Sequence, residues 1–278
     1  MDFLELLRVI FLSIVQGVTE WLPVSSTGHM IIVEEFLEFS HSEEFWSVFI
    51  VVIQLASVMA VVTTFFKQLN PFKFKDGLQL DQGKMQLWFK IVVASIPAAI
   101  IGIPFDDLIE AHLNNLFVIA IALIFYGIVF ILVENANKDK TPKVDSLDHI
   151  TYRLALLIGV FQLLALIPGT SRSGATIIGG LLLGMSRKTA AEFTFFLAIP
   201  AMVGGSLIRI MRVGFDFTGA EWITMIVGCL VAFVVSVITI KFLLGFVKRN
   251  NFKPFAYYRI ALGLLIFAYL FVSFFFLS

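Results

Sequence analysis

The sequence predicts an all-α polytopic membrane protein built as two inverted-topology repeats, each a re-entrant helical hairpin followed by three transmembrane helices. Three observations lead there. The 278 residues are 59% hydrophobic and 14% charged, with a mean hydropathy of +0.95, against the roughly half apolar, quarter charged composition of soluble domains. Six apolar runs reach the roughly 20 residues needed to cross about 30 Å of hydrocarbon. Two further apolar stretches are each broken near the middle by a Pro and a cluster of Ser, Thr and Gly, and read as paired half-helices.

In chain order, the first broken stretch covers about 3–37 and carries EWLPVSSTGH, Glu20 to His29. Three spans follow at about 45–66, 86–104 and 115–133, completing a first repeat over 1–135. A polar linker, 136–150, leads to the second repeat, 151–278. Its broken stretch, about 152–184, carries PGTSRSGAT, Pro168 to Thr176, and its spans lie at about 190–211, 221–245 and 255–277. Irregular backbone at membrane depth survives only where protein or a water-filled cavity surrounds it. Both hairpins should therefore pack inside the bundle, six full spans around two re-entrant tips. LPVSS (Leu22 to Ser26) resembles IPGTS (Ile167 to Ser171), with Gln16 and Gln162 upstream. An odd number of spans per repeat turns the second copy upside down, so the tips should converge near the midplane.

Charge sets the orientation. Lys67, Lys73, Lys75, Lys84, Lys138, Lys140, Lys143, Arg187, Lys188, Lys248, Arg249 and Lys253 fall in connections on one face, while Asp106, Asp107 and Glu110 read as an acidic loop on the other. The positive-inside rule places the basic face in the cytoplasm and both termini outside, so that the hairpin holding Glu20 opens extracytoplasmically. Zero net charge argues against nucleic-acid binding. The single Cys229, inside an apolar run, excludes an intrachain disulfide and reads as an inert thiol. The N-terminal segment lacks the basic n-region and cleavage site of a secretory signal.

The two polar segments stand where polar groups are costly, so function is their default explanation. Gln16 lies one helical turn before Glu20, putting amide and carboxylate on one face. That carboxylate suits a general base or a divalent-cation ligand; a helix-end Glu facing headgroups is the bland alternative. Ser25, Ser26 and Thr27 either cap the second half-helix or serve chemistry. His29 suits proton transfer near neutral pH, although a lone membrane His also occurs as a packing residue. In the second segment Ser171, Arg172, Ser173 and Gly174 open a helix, with Thr176 one turn on. Free amides at a helix N-terminus favour an anion, and Arg172 would grip phosphate bidentately; an Arg paired with Glu20 for the fold's sake is the alternative. The ligand is then expected to be anionic, phosphorylated and amphiphilic.

QGVTEWLPVSSTGH followed by PGTSRSGATI resembles the paired signature of the bacterial undecaprenyl-diphosphate phosphatases, the family associated with bacitracin resistance. The similarity extends over essentially the whole chain, including VVIQLAS near Gln54, AEFTFFLAIP from Ala191 and PFAYYR ending at Arg259. It implies hydrolysis of undecaprenyl diphosphate to the monophosphate and inorganic phosphate in the bacterial cell membrane, recycling the carrier lipid for wall polymers. It also implies a divalent cation, Mg²⁺ or Ca²⁺, and a homodimer. By position, the resemblance makes Glu20, Ser26, His29 and Arg172 catalytic. Gln16, Ser25, Thr27, Ser171, Ser173, Gly174 and Thr176 become diphosphate-binding, and Glu20 the metal ligand. Gln16 departs from the acidic residue of many members, leaving one motif carboxylate and weakening any mechanism that needs two.

Two mechanisms fit these residues: attack by Ser26 with Glu20 or His29 taking its proton, or direct attack by water. The rival from another class is a lipid-phosphate transporter or flippase, since inverted repeats with broken helices are a transporter architecture. A carboxylate, an imidazole and a hydroxyl nucleophile within ten residues favour chemistry over transport.

Overall fold

The computed structural model describes residues 3–37, 42–73, 79–214 and 216–276. Among the basic-loop residues Lys75 lies outside them, as does the last residue expected in the final span. The chain runs α1 (Phe3–Thr19), α2 (Ser26–Phe36), α3 (Glu43–Thr64), α4 (Phe66–Leu69), α5 (Gln82–Leu113), α6 (Leu116–Ala136), α7 (Tyr152–Gln162), α8 (Arg172–Leu182), α9 (Arg187–Val213), α10 (Gly219–Val247) and α11 (Lys253–Phe276). Among the described residues six helices are long and apolar enough to cross a membrane, α3, α5, α6, α9, α10 and α11. The protein is a multi-pass, helical membrane protein.

The outward faces make sense only in lipid. On α10, Leu230, Val234, Ile238 and Phe242 recur every four residues and are 52–62% exposed, an apolar stripe larger than a soluble monomer tolerates. The opposite face buries Gly228, Ala232, Ser236 and Thr239. Three intramembrane hydroxyls are satisfied within their own helices: Ser13 donates to Val9 O at 2.8 Å, Ser57 to Ile53 O at 3.0 Å and Thr239 to Val235 O at 2.9 Å, which removes their desolvation penalty.

Packing between helices falls into corresponding pairs. α1 packs on α10 and α7 on α5; α3 packs on α10 and α9 on α5; α3 meets α9, and α6 meets α11. Small residues allow the close crossings. At the α6–α11 crossing a Cβ on Gly127 would lie 3.0 Å from Ala256 O, and one on Gly263 would lie 2.9 Å from Ala120 O. At α7–α5 a Cβ on Gly159 would collide with the carbonyl of Ala94. The basic end is tied together by the buried Glu134, which pairs with Arg187 at the start of α9 and accepts from the Phe252 amide before α11 at 2.9 Å.

Two expectations need correction, the acidic loop and the register of the internal similarity. Asp106, Asp107 and Glu110 are in no loop: α5 continues through Pro97 and Pro104 to Leu113, because the apolar run ends before the helix does. Asp107 pairs from there with Arg212 at 3.1 Å. Helix α6 runs to Ala136, and the linker after it is structured: a short 3₁₀ turn forms at Leu147–His149, and Val144 bridges to Met185 beyond α8. A small antiparallel ladder, β1 (Phe72–Lys73) with β2 (Gln79–Leu80), lies in the connection between α4 and α5 of the all-helical bundle. The register of the internal similarity is also off by one, as the turn geometry below establishes.

The glycine crossings are testable. Gly263→Ala is expected to lower the thermal midpoint of the detergent-purified protein, an overpacking cost of about 1–3 kcal/mol. Gly245→Ala, where nothing lies within 4 Å, should leave the midpoint unchanged or raise it, since Ala outranks Gly in a helix.

Candidate active site

Both polar segments form turns that end in the same local device. Ser25 and Ser171 have φ of 74° and 72°, a left-handed conformation that costs a non-glycine residue about 1–2 kcal/mol. Each is the N-cap of the helix that follows, Ser25 Oγ accepting from Gly28 N at 3.3 Å and Ser171 Oγ from Gly174 N at 3.2 Å. Ser25 thus corresponds to Ser171, not to the Thr170 that the pentapeptide similarity paired it with. Aligning the two serines also pairs Gln16 with Gln162, Pro23 with Gly169, and Gly28 with Gly174. It sets Ser26 opposite Arg172, each the first residue of its helix.

Those two first residues reach the same carboxylate. Glu20 is 5% exposed. Its Oε2 accepts from Ser26 Oγ at 2.8 Å and from Gln16 Nε2 at 3.1 Å, and its Oε1 accepts from Arg172 Nη2 at 3.2 Å. Arg172 also donates through Nη1 to Thr194 O on α9 at 2.9 Å, while its buried Nε has no partner. Breaking a buried pair of this kind by removing one member typically costs about 3–5 kcal/mol. Ser173 Oγ lies 3.2 Å from Leu22 O, stitching the second turn to the first, and Thr176 Oγ1 is 2.8 Å from Thr194 Oγ1.

His29 stands apart from Ser26 and Glu20. Its Nδ1 is 2.7 Å from Ser25 O, which can only accept, so Nδ1 carries hydrogen. Nε2 of the neutral ring then accepts from the Tyr258 hydroxyl at 2.7 Å, with the two rings stacked at 5.6 Å. The hydroxyl of Ser26 is therefore bonded to Glu20, and the imidazole is engaged elsewhere. Thr27 is exposed and outside this network.

Sequence reasoning missed three participants: Thr194, Tyr258 and, above all, Arg259. Arg259 is fully buried. It donates through Nη1 to Pro23 O at 3.3 Å and through Nη2 to Gly169 O at 2.9 Å, the corresponding carbonyls of the two turns. A Cβ on Gly174 would stand 2.8 Å from Nη1, so only glycine leaves room for the fork. Its other close neighbour is the ring of Tyr126, 6.0 Å from the guanidinium carbon, and its Nε is without a partner. A basic residue inside an apolar run, a few residues from its start, was the available signal.

One carboxylate and two guanidiniums leave the turns with one uncompensated buried positive charge. An isolated buried charge costs several kcal/mol unless a counter-ion joins it. Two unpartnered guanidinium N–H groups at Arg172 and Arg259 add donor capacity, and the arrangement suits an anion.

Comparison with known proteins gives the same direction. The model of the family described as bacitracin resistance protein BacA matches residues 9–265. The chain belongs to the BacA family. Relatives named undecaprenyl-diphosphatase include one from Enterococcus faecalis, 55% identical over 96% of this chain and 97% of its own length. Another, from Lachnoclostridium phytofermentans, is 57% identical over 97% and 98%, and a third, from Acetivibrio thermocellus, 53% over 96% and 98%. The BacA match spans both turns and Arg259.

Arg259→Lys keeps the charge but not the fork. Loss of one buried carbonyl partner costs about 1–3 kcal/mol, expected as a fall of several degrees in the thermal midpoint in detergent, whereas the same exchange at the exposed Arg249 should leave it unmoved.

Proposed function

We propose that the protein is an integral membrane undecaprenyl-diphosphatase, hydrolysing the lipid diphosphate to the monophosphate and inorganic phosphate and so conferring bacitracin resistance. The carrying observation is the Ser26–Glu20 hydrogen bond at 2.8 Å, with Arg172 on the other carboxylate oxygen. A nucleophile, its base and a phosphate-binding cation then meet on one buried residue. The relatives' names and this pair both favour hydrolysis over lipid transport.

Ser26 Oγ attacks the terminal phosphorus as its proton passes to Glu20 Oε2. The bridging P–O bond breaks and the lipid monophosphate leaves. Arg172 turns from Glu20 toward the phosphoryl oxygens, where preorganised charge contributes most to phosphoryl transfer. Glu20 gives that proton up to the departing lipid phosphate, deprotonates a water that cleaves the phosphoserine, and returns the proton to Ser26 Oγ as inorganic phosphate is released. Ser25 and Ser171 hold the helix amides in place, and Ser173, Gly174 and Thr176 shape the second half of the anion site. His29, with Tyr258, faces the departing lipid phosphate.

A divalent cation, Mg²⁺ or Ca²⁺, belongs to this reading. Its protein donors would be Glu20 and Gln16 Oε1, a buried oxygen without a partner, and it would neutralise charge on the diphosphate. Among the described residues no group of three or more His, Cys, Asp or Glu could hold a metal. The substrate's own oxygens would therefore complete the shell, as is common for Mg²⁺.

The reading includes the two-repeat plan, 1–135 and 151–278, with both broken segments re-entrant. The paired helix packings, the shared φ of Ser25 and Ser171, and Arg259 spanning corresponding carbonyls support it. The basic end gathered by Glu134 supports a cytoplasmic face there and an extracytoplasmic opening for the site. A homodimer is included on the family resemblance.

In a phosphate-release assay on a C55 diphosphate, Glu20→Gln and Ser26→Ala are each expected to lose at least about a hundredfold in kcat, and a chelator should slow the wild type reversibly. Phosphoserine at Ser26 should be trapped from radiolabelled substrate. Full activity in Ser26→Ala without that adduct would favour direct attack by water.

A further inference from the structure

Between α2, α6 and α11 lies a cleft of about 230 Å³, walled by Ile32, Leu116, Leu262 and Ile266. Its rim is a hydrogen bond from the Tyr269 hydroxyl to Glu35 Oε1 at 2.8 Å. None of its walls belongs to the polar network around Glu20. It begins, however, one helical turn beyond the His29–Tyr258 pair. On α11, Tyr258 is one turn before Leu262, and on α2, His29 is one turn before Ile32, so the His29–Tyr258 bond stands one turn before the cleft and Glu35–Tyr269 marks its far end.

The axial order along α2 is informative. Ser26, His29 and Ile32 stand at successive steps of about 4.5 Å along the helix: nucleophile, imidazole, then apolar wall. A lipid diphosphate has the same order, terminal phosphorus, lipid-side phosphate, then hydrocarbon. A phosphate head at the turns therefore directs its tail into the cleft. The volume is below the roughly 300–1,000 Å³ of pockets that enclose whole drug-sized ligands, so the cleft takes a short length of chain. The remainder passes outward over lipid-facing residues such as Leu265, 67% exposed.

We propose that this cleft is a tail subsite holding the first isoprene units of the lipid substrate, and that the His29–Tyr258 and Glu35–Tyr269 bonds are the polar clasps that flank it. The proposal rests on the phosphatase reading. Lipid is as apolar as the cleft, so affinity for the tail comes from packing of hydrocarbon against Ile32 and Leu262 and not from transfer out of water. That packing also fixes which phosphate faces Ser26. Tail recognition should then appear in KM for long-chain substrates.

Leu262→Trp and Leu116→Trp fill the cleft from α11 and α6 separately. Each is expected to raise KM for a C55 diphosphate at least fivefold, with the rate on methyl diphosphate, which carries no isoprene unit, within twofold of wild type. Unchanged C55 kinetics in both variants, or parallel losses on both substrates, would overturn the tail subsite. Failure of the wild type to release phosphate from either would instead overturn the phosphatase reading. A C15 diphosphate carrying a diazirine near its head gives a check on the unaltered protein. Label on the peptides of Ile32 or Leu262, displaced by C55 diphosphate and not by bulk phospholipid, is expected; label elsewhere, or displacement by phospholipid, contradicts the assignment.

Discussion

The fork of Arg259 is the constraint on which the site depends. Two turns separated by almost 150 residues of sequence are brought together by one guanidinium donating to Pro23 O and Gly169 O. Each turn alone exposes carbonyls and free helix amides that lipid cannot satisfy. Joined, they satisfy one another: Ser173 reaches Leu22 O, Arg172 reaches Glu20, and the amides of α2 and α8 are capped by Ser25 and Ser171. The rigid φ of those two serines sets the directions of Ser26 and Arg172, which is why both meet one carboxylate.

The same constraint creates the electrostatics of the site. Holding the turns requires a buried cation, and Arg172 adds a second against a single Glu20. Stability and function therefore pull in different directions until an anion arrives. On the proposed reading, a substrate diphosphate would offset the charge that the fold leaves unbalanced, and would do so beside Ser26, where phosphorus must be for attack. Binding and positioning are thus one event, which is how preorganised electrostatics lowers a barrier to phosphoryl transfer. The lone carboxylate gives any cation few protein ligands, so the reading assigns most of its coordination to substrate.

Much of this was legible because lipid restricts the options. Hydropathy marks the spans, and Pro with Ser, Thr and Gly marks the breaks, since nothing else interrupts such runs. The one-turn spacing of Gln16 and Glu20 gives their shared face directly. Helix ends were less visible: α5 outlasts its apolar run, carrying Asp107 on helix to meet Arg212. The register between the segments was misread because string similarity favours Pro over Pro, while the backbone matches Ser25 to Ser171 by φ. Arg259 escaped notice because it sits near the start of an apolar run, where a basic side chain is expected to snorkel. Tyr258 and Thr194 carry no local signal; their roles exist only once α9 and α11 pack against the turns.

The central claim is that Ser26 on one turn and Arg172 on the other act on one phosphoryl group as a single unit through Glu20. A double-mutant cycle on phosphate release measures this most directly, using Ser26→Ala, Arg172→Ala and the pair in liposomes with a C55 diphosphate. Residues acting as a unit are strongly non-additive, so the double variant should be scarcely slower than the slower single variant. Losses that multiply across the pair would show two independent sites and contradict the account.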